Sequence, residues 1–256
     1  MAGSQTCRNQ QLRGAPLCAI SLPPEAQEII MASLPPFREG ECTIRIIQTR
    51  EERDQAFQLR HAVYCQQLGW VPACPDGRER DRYDPGSTTL GVFADHGQLL
   101  GLVRLIPPDR PFMLEDDFRA LLPPGYRLHK GPDAAEITRL TTLARGMRSP
   151  GAAPVASLLY KAIYRWSCAG NVRFLYIVVE TRFFERLRRR GLPCIALGPP
   201  YRFGAGPPVV AARLDRALFE RLADAHPIPF CHWLRGDDPI SHTAQPLQSR
   251  AHDCVR

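Results

Sequence analysis

A chain of 256 residues, 44% hydrophobic and 23% charged, can bury one substantial core and is marginal for two, so one domain with extra terminal segments is expected. No apolar run approaches the roughly 20 residues that span a bilayer, and no apolar stretch follows a basic start, so neither a membrane span nor a secretory signal is expected and the protein is assigned to the cytoplasm. The net charge of +7 rests almost wholly on arginine, with Lys130 and Lys161 the only lysines, and favours an acidic partner such as nucleic acid, a phosphate-bearing cofactor or an acidic carrier protein.

Residues 1–41 mix Pro, Gly and polar residues around one short helical candidate at 25–34, and are expected to form a poorly ordered extension. From Cys42 the run C-T-I-R-I-I-Q is β-branched and partly alternating, which predicts a strand, and Glu51 to Leu68 carries apolar residues at helical spacing. Gly69 ends that helix. Val71 to Ser87 is rich in Pro, Gly and Asp and too long for a plain connection, a kind of loop that carries function. Thr88 to Ala94 and Leu99 to Ile106 are apolar runs joined by Asp95, His96, Gly97 and Gln98, a hairpin signal. The pattern then predicts a short helix from Leu114 to Leu122, a strand from Glu136 to Leu143 and a helix from Val155 to Cys168. A buried strand from Val172 to Val179, a basic helix from Arg182 to Arg190 stopped by Gly191, and a late strand from Val209 to Leu214 complete the domain, with 236–256 as a flexible tail.

This order is mixed α/β. It resembles that of GNAT-type N-acyltransferases, which implies a GNAT-like mixed central sheet flanked by helices in a single domain over 42–235.

The densest chemistry lies between Arg60 and Asp84. Arg60 and Tyr64 are one helical turn apart, and Trp70 follows just beyond the helix end. A guanidinium can clamp a carboxylate and aromatic faces attract a sulfonium, so this grouping suits a ligand bearing both, such as S-adenosylmethionine. Glu79, Asp81 and Asp84 put three carboxylates within six residues of one loop. Alone they would be a solvated acidic turn, but Arg104 and Arg139 sit inside predicted strands, where a charge needs a partner, so an ion-pair network is expected.

These positions resemble the near-invariant set of the acyl-homoserine-lactone synthases, the autoinducer synthases that make quorum-sensing signals. Arg60, Tyr64, Trp70, Glu79, Asp81, Asp84, Arg104, Phe118, Glu136 and Arg139 follow in the family's order, with Tyr64 where the family has Phe. The stretch R-L-I-P-P-D-R-P-F-M-L-E-D-D-F and the word E-I-T-R add local likeness, and the resemblance covers about 42–215. The V-Y-C, P-D-G-x-E-x-D and L-G-P-P segments also resemble the N-acyl amino acid synthases and exosortase-associated acyltransferases, which leaves a free amino acid as the alternative acceptor.

The resemblance implies that the α-amine of S-adenosylmethionine attacks an acyl thioester and that methylthioadenosine leaves as the lactone closes. A carboxylate must accept the amine proton, and Glu136 and Glu79 are the candidates. Arg60, Tyr64 and Trp70 would form the acceptor pocket, with Asp81, Asp84, Arg104 and Arg139 holding and polarising it or serving structure alone. The segment R-S-P-G-A-A, with Arg148, Gly151 and Ala153, fits the GNAT pattern for pantetheine phosphate at a helix N-terminus, or is an ordinary turn. Phe118 with Leu140, Leu143, Leu158, Leu159 and Phe174 either lines an acyl pocket or is plain core.

The arginines at 182, 186, 188, 189 and 190 would dock an acyl carrier protein or form a solvated face. The donor is carrier protein or coenzyme A. No cofactor, nucleic-acid partner or metal is expected, because the seven histidines show no paired ligand spacing and nucleic-acid signatures are lacking. The nine scattered cysteines read as reduced thiols.

Overall fold

The computed structural model describes residues 34–143, 153–204, 206–226 and 228–236. They form a sheet of nine strands: β1 Phe37–Glu39, β2 Cys42–Ile46, β3 Thr88–Ala94, β4 Leu99–Ile106, β5 Ala134–Thr142, β6 Phe174–Glu180, β7 Cys194–Ala196, β8 Tyr201–Arg202 and β9 Pro208–Asp215. In space they run β1-β2-β3-β4-β5-β6-β9-β7, with β8 beside β9. Every pair is antiparallel except β5 and β6, which are paired only from Ala134↔Phe174 to Ile137↔Ile177. Since β5 continues to Thr142 and β6 to Glu180, the two strands part over their C-terminal halves and leave a gap in the middle of the sheet. The mixed α/β sheet agrees with the expected fold class.

Helices α1 Arg50–Arg60, α2 Val155–Ala169, α3 Thr181–Arg189, α4 Arg216–Ala225 and α5 Pro229–Arg235 cover the sheet. Period-two alternation sorts the side chains between its faces. Val103 and Leu105 of β4 join Leu158, Leu159, Ala162 and Trp166 of α2 in the main core. Leu102 points the other way, against Ala56 and Leu59 of α1, and Ile106 packs with Phe112, Leu114 and Tyr176. Arg104, lying between Leu102 and Ile106, therefore enters the layer beneath α1. Among the described residues no helix is long and apolar enough to cross a membrane.

α1 begins at a capping box: Thr49 Oγ1 accepts from the Glu52 amide at 3.1 Å and Glu52 Oε2 accepts from the Thr49 amide at 3.3 Å. The expected helix continues past Arg60 but widens to a π-helix over His61–Gln67, closed by the Leu68 amide on the Val63 carbonyl at 2.9 Å. The hairpin of β3 and β4 lies where the apolar runs placed it.

Three expectations change. β1 precedes Cys42, because buried Lys161 on α2 needs a carboxylate and finds it in Glu39, so the ordered domain reaches into the segment expected to be an extension. The rest of that segment, with most of the 25–34 helix, and all but the first residue of the 236–256 tail lie outside the described residues. The helix from Leu114 to Leu122 shrinks to one 3₁₀ turn, Arg119–Leu121, because the residues before it close as separate turns, with the Glu115 amide on the Phe112 carbonyl and the Asp116 and Phe118 amides both on the Met113 carbonyl. β7, β8, α4 and α5 are additions: two short edge strands, and two helices whose inward faces are only a few residues wide.

Candidate active site

Loop residues 71–87 fold back over the end of α1, where the Glu79 amide donates to the Phe57 carbonyl at 3.1 Å. That brings three carboxylates and three guanidiniums into one balanced cluster. Arg60, 2% exposed, donates to Glu79 through Nε and to Asp84 Oδ1 through Nη1 at 2.6 Å. Arg104, fully buried, donates through Nη1 to Asp81 and Asp84, both at 2.5 Å, and through Nε to Thr138 Oγ1 at 3.0 Å. Arg139 Nη2 reaches Glu79 Oε1 at 2.9 Å and Asp81 Oδ2 at 2.7 Å. The expected ion-pair network is present.

Arg139 reaches it through a bulge. Between Leu102↔Thr141 and Arg104↔Thr138, β4 advances by two residues and β5 by three, so β5 carries one extra residue, and Arg139 adopts φ 53°. Strict alternation after Thr138 would send Arg139 to the α2 face, whereas the bulge turns it toward α1. A left-handed arginine costs about 1 kcal/mol, a strain of the kind that collects at functional sites.

Tyr64 rises from the π-helical turn, and its hydroxyl donates to the Leu140 carbonyl at 3.2 Å. Burial, the largest influence, pushes its phenol up to about 12, so it stays neutral. The Arg139 guanidinium lies 5.2 Å from the Tyr64 ring centroid, and Trp70 tilts against the same ring at 6.1 Å while remaining 47% exposed. The Arg139 Nη1 donor meets only the Met113 sulfur, at 3.9 Å, among the described residues. Arg60, by contrast, gives all three of its guanidinium nitrogens to carboxylates, while Arg139 keeps one, Nη1, that meets no carboxylate among the described residues.

The two candidate bases differ sharply. Burial would raise the Glu79 pKa, but the bonds and charges of Arg139 and Arg60 outweigh it and hold the group below its ordinary value. Asp81 is held low in the same way by Arg104, Arg139 and Arg60 against its own burial. Glu136 has no ion-pair partner among the described residues. It is 1% exposed on β5, at the mouth of the gap beside β6, and accepts from the Met113 amide at 2.5 Å and the Leu114 amide at 3.0 Å. Burial dominates over those bonds and pushes its carboxyl up to about 8. Met113 connects the halves of the site, since its sulfur lies 3.6 Å from Arg104 Nη2 while its amide holds Glu136.

Phe118 packs at the edge of the apolar cluster of Phe112, Leu121 and Tyr176, with the Phe203 ring edge-on at 5.7 Å. Phe174 joins that cluster, but Leu158 and Leu159 lie in the main core across the sheet, so the expected acyl-lining set cannot line one pocket. Ala153 is buried in the main core just ahead of α2, while Arg148 and Gly151 lie outside the described residues. On α3, Phe184 and Leu187 face inward and Arg182, Arg186, Arg188, Arg189 and Arg190 are exposed. Sequence reasoning did not single out Thr138 or the Met113 and Leu114 amides. Thr138 was visible as the third residue of E-I-T-R, whereas main-chain donors leave no trace in residue identity.

Among the described residues the cysteines are free and no group of His, Cys, Asp and Glu could hold a metal ion. The autoinducer synthase family model matches residues 45–219. The acyl-homoserine-lactone synthase of Rhizobium radiobacter is 34% identical over 174 residues, 66% of this chain and 81% of that protein. The enzyme of the same name from Ralstonia nicotianae is 32% identical over 160 residues, 61% of this chain and 78% of that one. Among solved structures, the acyl-homoserine-lactone synthase LasI superposes with TM-score 0.62 at 22% identity, covering 69% of this chain and 91% of its own. TofI in a complex with an inhibitor and MTA gives 0.59 at 22%, covering 73% and 98%. The CoA-dependent synthase BjaI with SAM and isopentyl-CoA gives 0.56 at 23%, covering 69% and 82%.

Proposed function

This chain belongs to the autoinducer synthase family and is an acyltransferase with a GNAT-like fold, and from that premise we propose that it joins S-adenosylmethionine to an acyl thioester to make an N-acyl-homoserine lactone. The observation that carries the reading is the corner of Tyr64, Trp70 and Arg139, joined through Met113 to the one site carboxylate outside the ion-pair network, Glu136. The spare Arg139 donors suit a methionine carboxylate, and the two rings suit a sulfonium. That TofI is solved with MTA and BjaI with SAM and isopentyl-CoA supports the same choice of acceptor.

Two bonds form and two break. The neutral amine adds to the thioester carbonyl, the C–S bond breaks and the thiolate leaves, while Glu136, directly or through water, takes the amine proton. A carboxyl whose pKa lies near the working pH is suited to that transfer, and Glu79, held ionised by two arginines, is not. The methionine carboxylate then displaces methylthioadenosine from the carbon next to the sulfonium, closing the ring without a further base. Asp81, Asp84, Arg60 and Arg104 hold the loop and β5 at fixed spacing. The exposed arginines of α3 suit an acidic acyl carrier protein as donor.

The test is incubation of the pure protein with S-adenosylmethionine and either an acyl carrier protein thioester or an acyl-CoA, followed by mass spectrometry. Methylthioadenosine and an acyl-homoserine lactone in equal amounts are expected. An N-acyl amino acid formed from a free amino acid, without methylthioadenosine, would sink the reading.

A further inference from the structure

On the outer side of α1 the chain forms a cleft of about 340 Å³ lined by Arg50, Arg53, Asp54, Phe57, Arg78 and Arg80. Four guanidiniums surround one carboxylate. Asp54 is taken up by Arg78, through Nε to one oxygen and through Nη2 at 3.0 Å to the other. Behind the lining, Asp76 holds Arg80 at 2.9 Å, and Glu52 is engaged by Arg45 and the capping box. Arg53 donates only to the Gln48 carbonyl, at 2.6 Å, and no carboxylate lies within ion-pair distance of Arg50 or Arg53 among the described residues. Glu51, exposed on the same turn, is the remaining nearby acid. The floor is Phe57, with Arg80 and Arg60 lying 5.2 and 5.5 Å from its ring centroid.

Guanidiniums gathered around a concave surface, two of them with no carboxylate partner among the described residues, repel one another until an anion neutralises them, and their planar forks match phosphate oxygens two at a time. With both neighbouring arginines against the Phe57 ring, the floor offers charge rather than a stacking face. We propose that this cleft binds a diphosphate group, seated on Arg50 and Arg53 at the start of α1. It lies on the face of the sheet opposite α2. Its wall is the same loop that carries Glu79, so an occupant bears on the site through Arg78 and Arg80. The proposal does not depend on which acyl acceptor the enzyme uses.

Calorimetric titration of the full chain with ADP and, separately, inorganic pyrophosphate tests it. Both probes should bind saturably, and Arg50→Ser with Arg53→Ser should weaken each by about tenfold or more, with the thermal midpoint and acyl transfer unchanged. Tighter binding of ADP assigns the diphosphate to a nucleotide, and equal binding assigns it to the phosphates alone. If the double variant is unstable, Arg50→Glu, which keeps the Arg53 bond to Gln48, gives the same comparison. No heat of binding up to about 1 mM of either probe, or equal affinity in the variants, overturns the proposal.

Discussion

Burying a carboxylate is expensive unless it is paired or neutralised, and Glu79 and Glu136 meet that cost in opposite ways. Glu79 stays ionised between two guanidiniums, while Glu136 gains proton affinity. Changing Glu136 to Gln is expected to lower turnover by roughly 10²–10⁴ with little change in S-adenosylmethionine affinity. The wild-type rate profile is expected to inflect near pH 8, and the variant should lose that inflection, which loss of packing alone would not do. Because the new amide group faces the Met113 and Leu114 donors, about 1–3 kcal/mol of stability should be lost as well. Equal turnover in the two proteins would return the base to Glu79. Trp70 is half exposed and its ring lies against that of Tyr64. Trp70→Ala should leave the melting temperature in place and weaken S-adenosylmethionine binding by about 1 kcal/mol, or roughly fivefold, as equilibrium titration would show. The residue identities were legible in the sequence, but the division of labour was not. Arg60 and Arg139 carry the same group, and only burial reveals that Arg60 is spent on Glu79 and Asp84.

Elements whose signal is local and periodic were legible: the β3–β4 hairpin, α1, α2 and the amphipathic α3. Elements defined by a departure from periodicity were not. Nothing in H-A-V-Y-C-Q-Q announces a π-helix, and a helix count of one turn from Arg60 to Tyr64 passes over the wider turn observed there. The bulge at Arg139 is equally hidden, since an extra residue is defined only against its partner strand. The start of α1, by contrast, follows directly from T-R-E-E. Thr49→Ala removes the acceptor for the Glu52 amide and should lower stability by about 1 kcal/mol, measured by urea unfolding. Because the cap lies outside the cluster, kcat should not change at temperatures where the protein is folded.

At the level of the molecule, the titrating groups oppose each other. Glu79 and Asp81 have folded pKa values below their ordinary 4.5 and 3.8, so their contribution is complete above those values and is lost as pH falls through the lower ones. Glu136 is raised, so between 4.5 and about 8 the native state keeps a proton that the unfolded chain has released, and stability declines as pH rises across that window. A melting-temperature profile of Glu136→Gln should therefore flatten on the neutral side and keep its acid limb. A profile still falling between those limits would assign the slope to another group. Arg104→Ala removes the buried guanidinium that Asp81 and Asp84 share, leaving them to Arg139 and Arg60 alone, and should cost about 3–5 kcal/mol by urea unfolding.

The cluster also has a consequence in time. Its bonded pairs join residues 19 to 60 positions apart along the chain, and no two segments alone neutralise all six charges. Bringing α1, the following loop, β4 and β5 together demands several long closures before the full reward is collected, so these bonds are expected on the late side of the folding barrier. Damage there should leave the refolding rate nearly unchanged and appear almost wholly as faster unfolding. The same ion pairs that fix the reaction geometry thus act as the latch that sets how long a native molecule lasts.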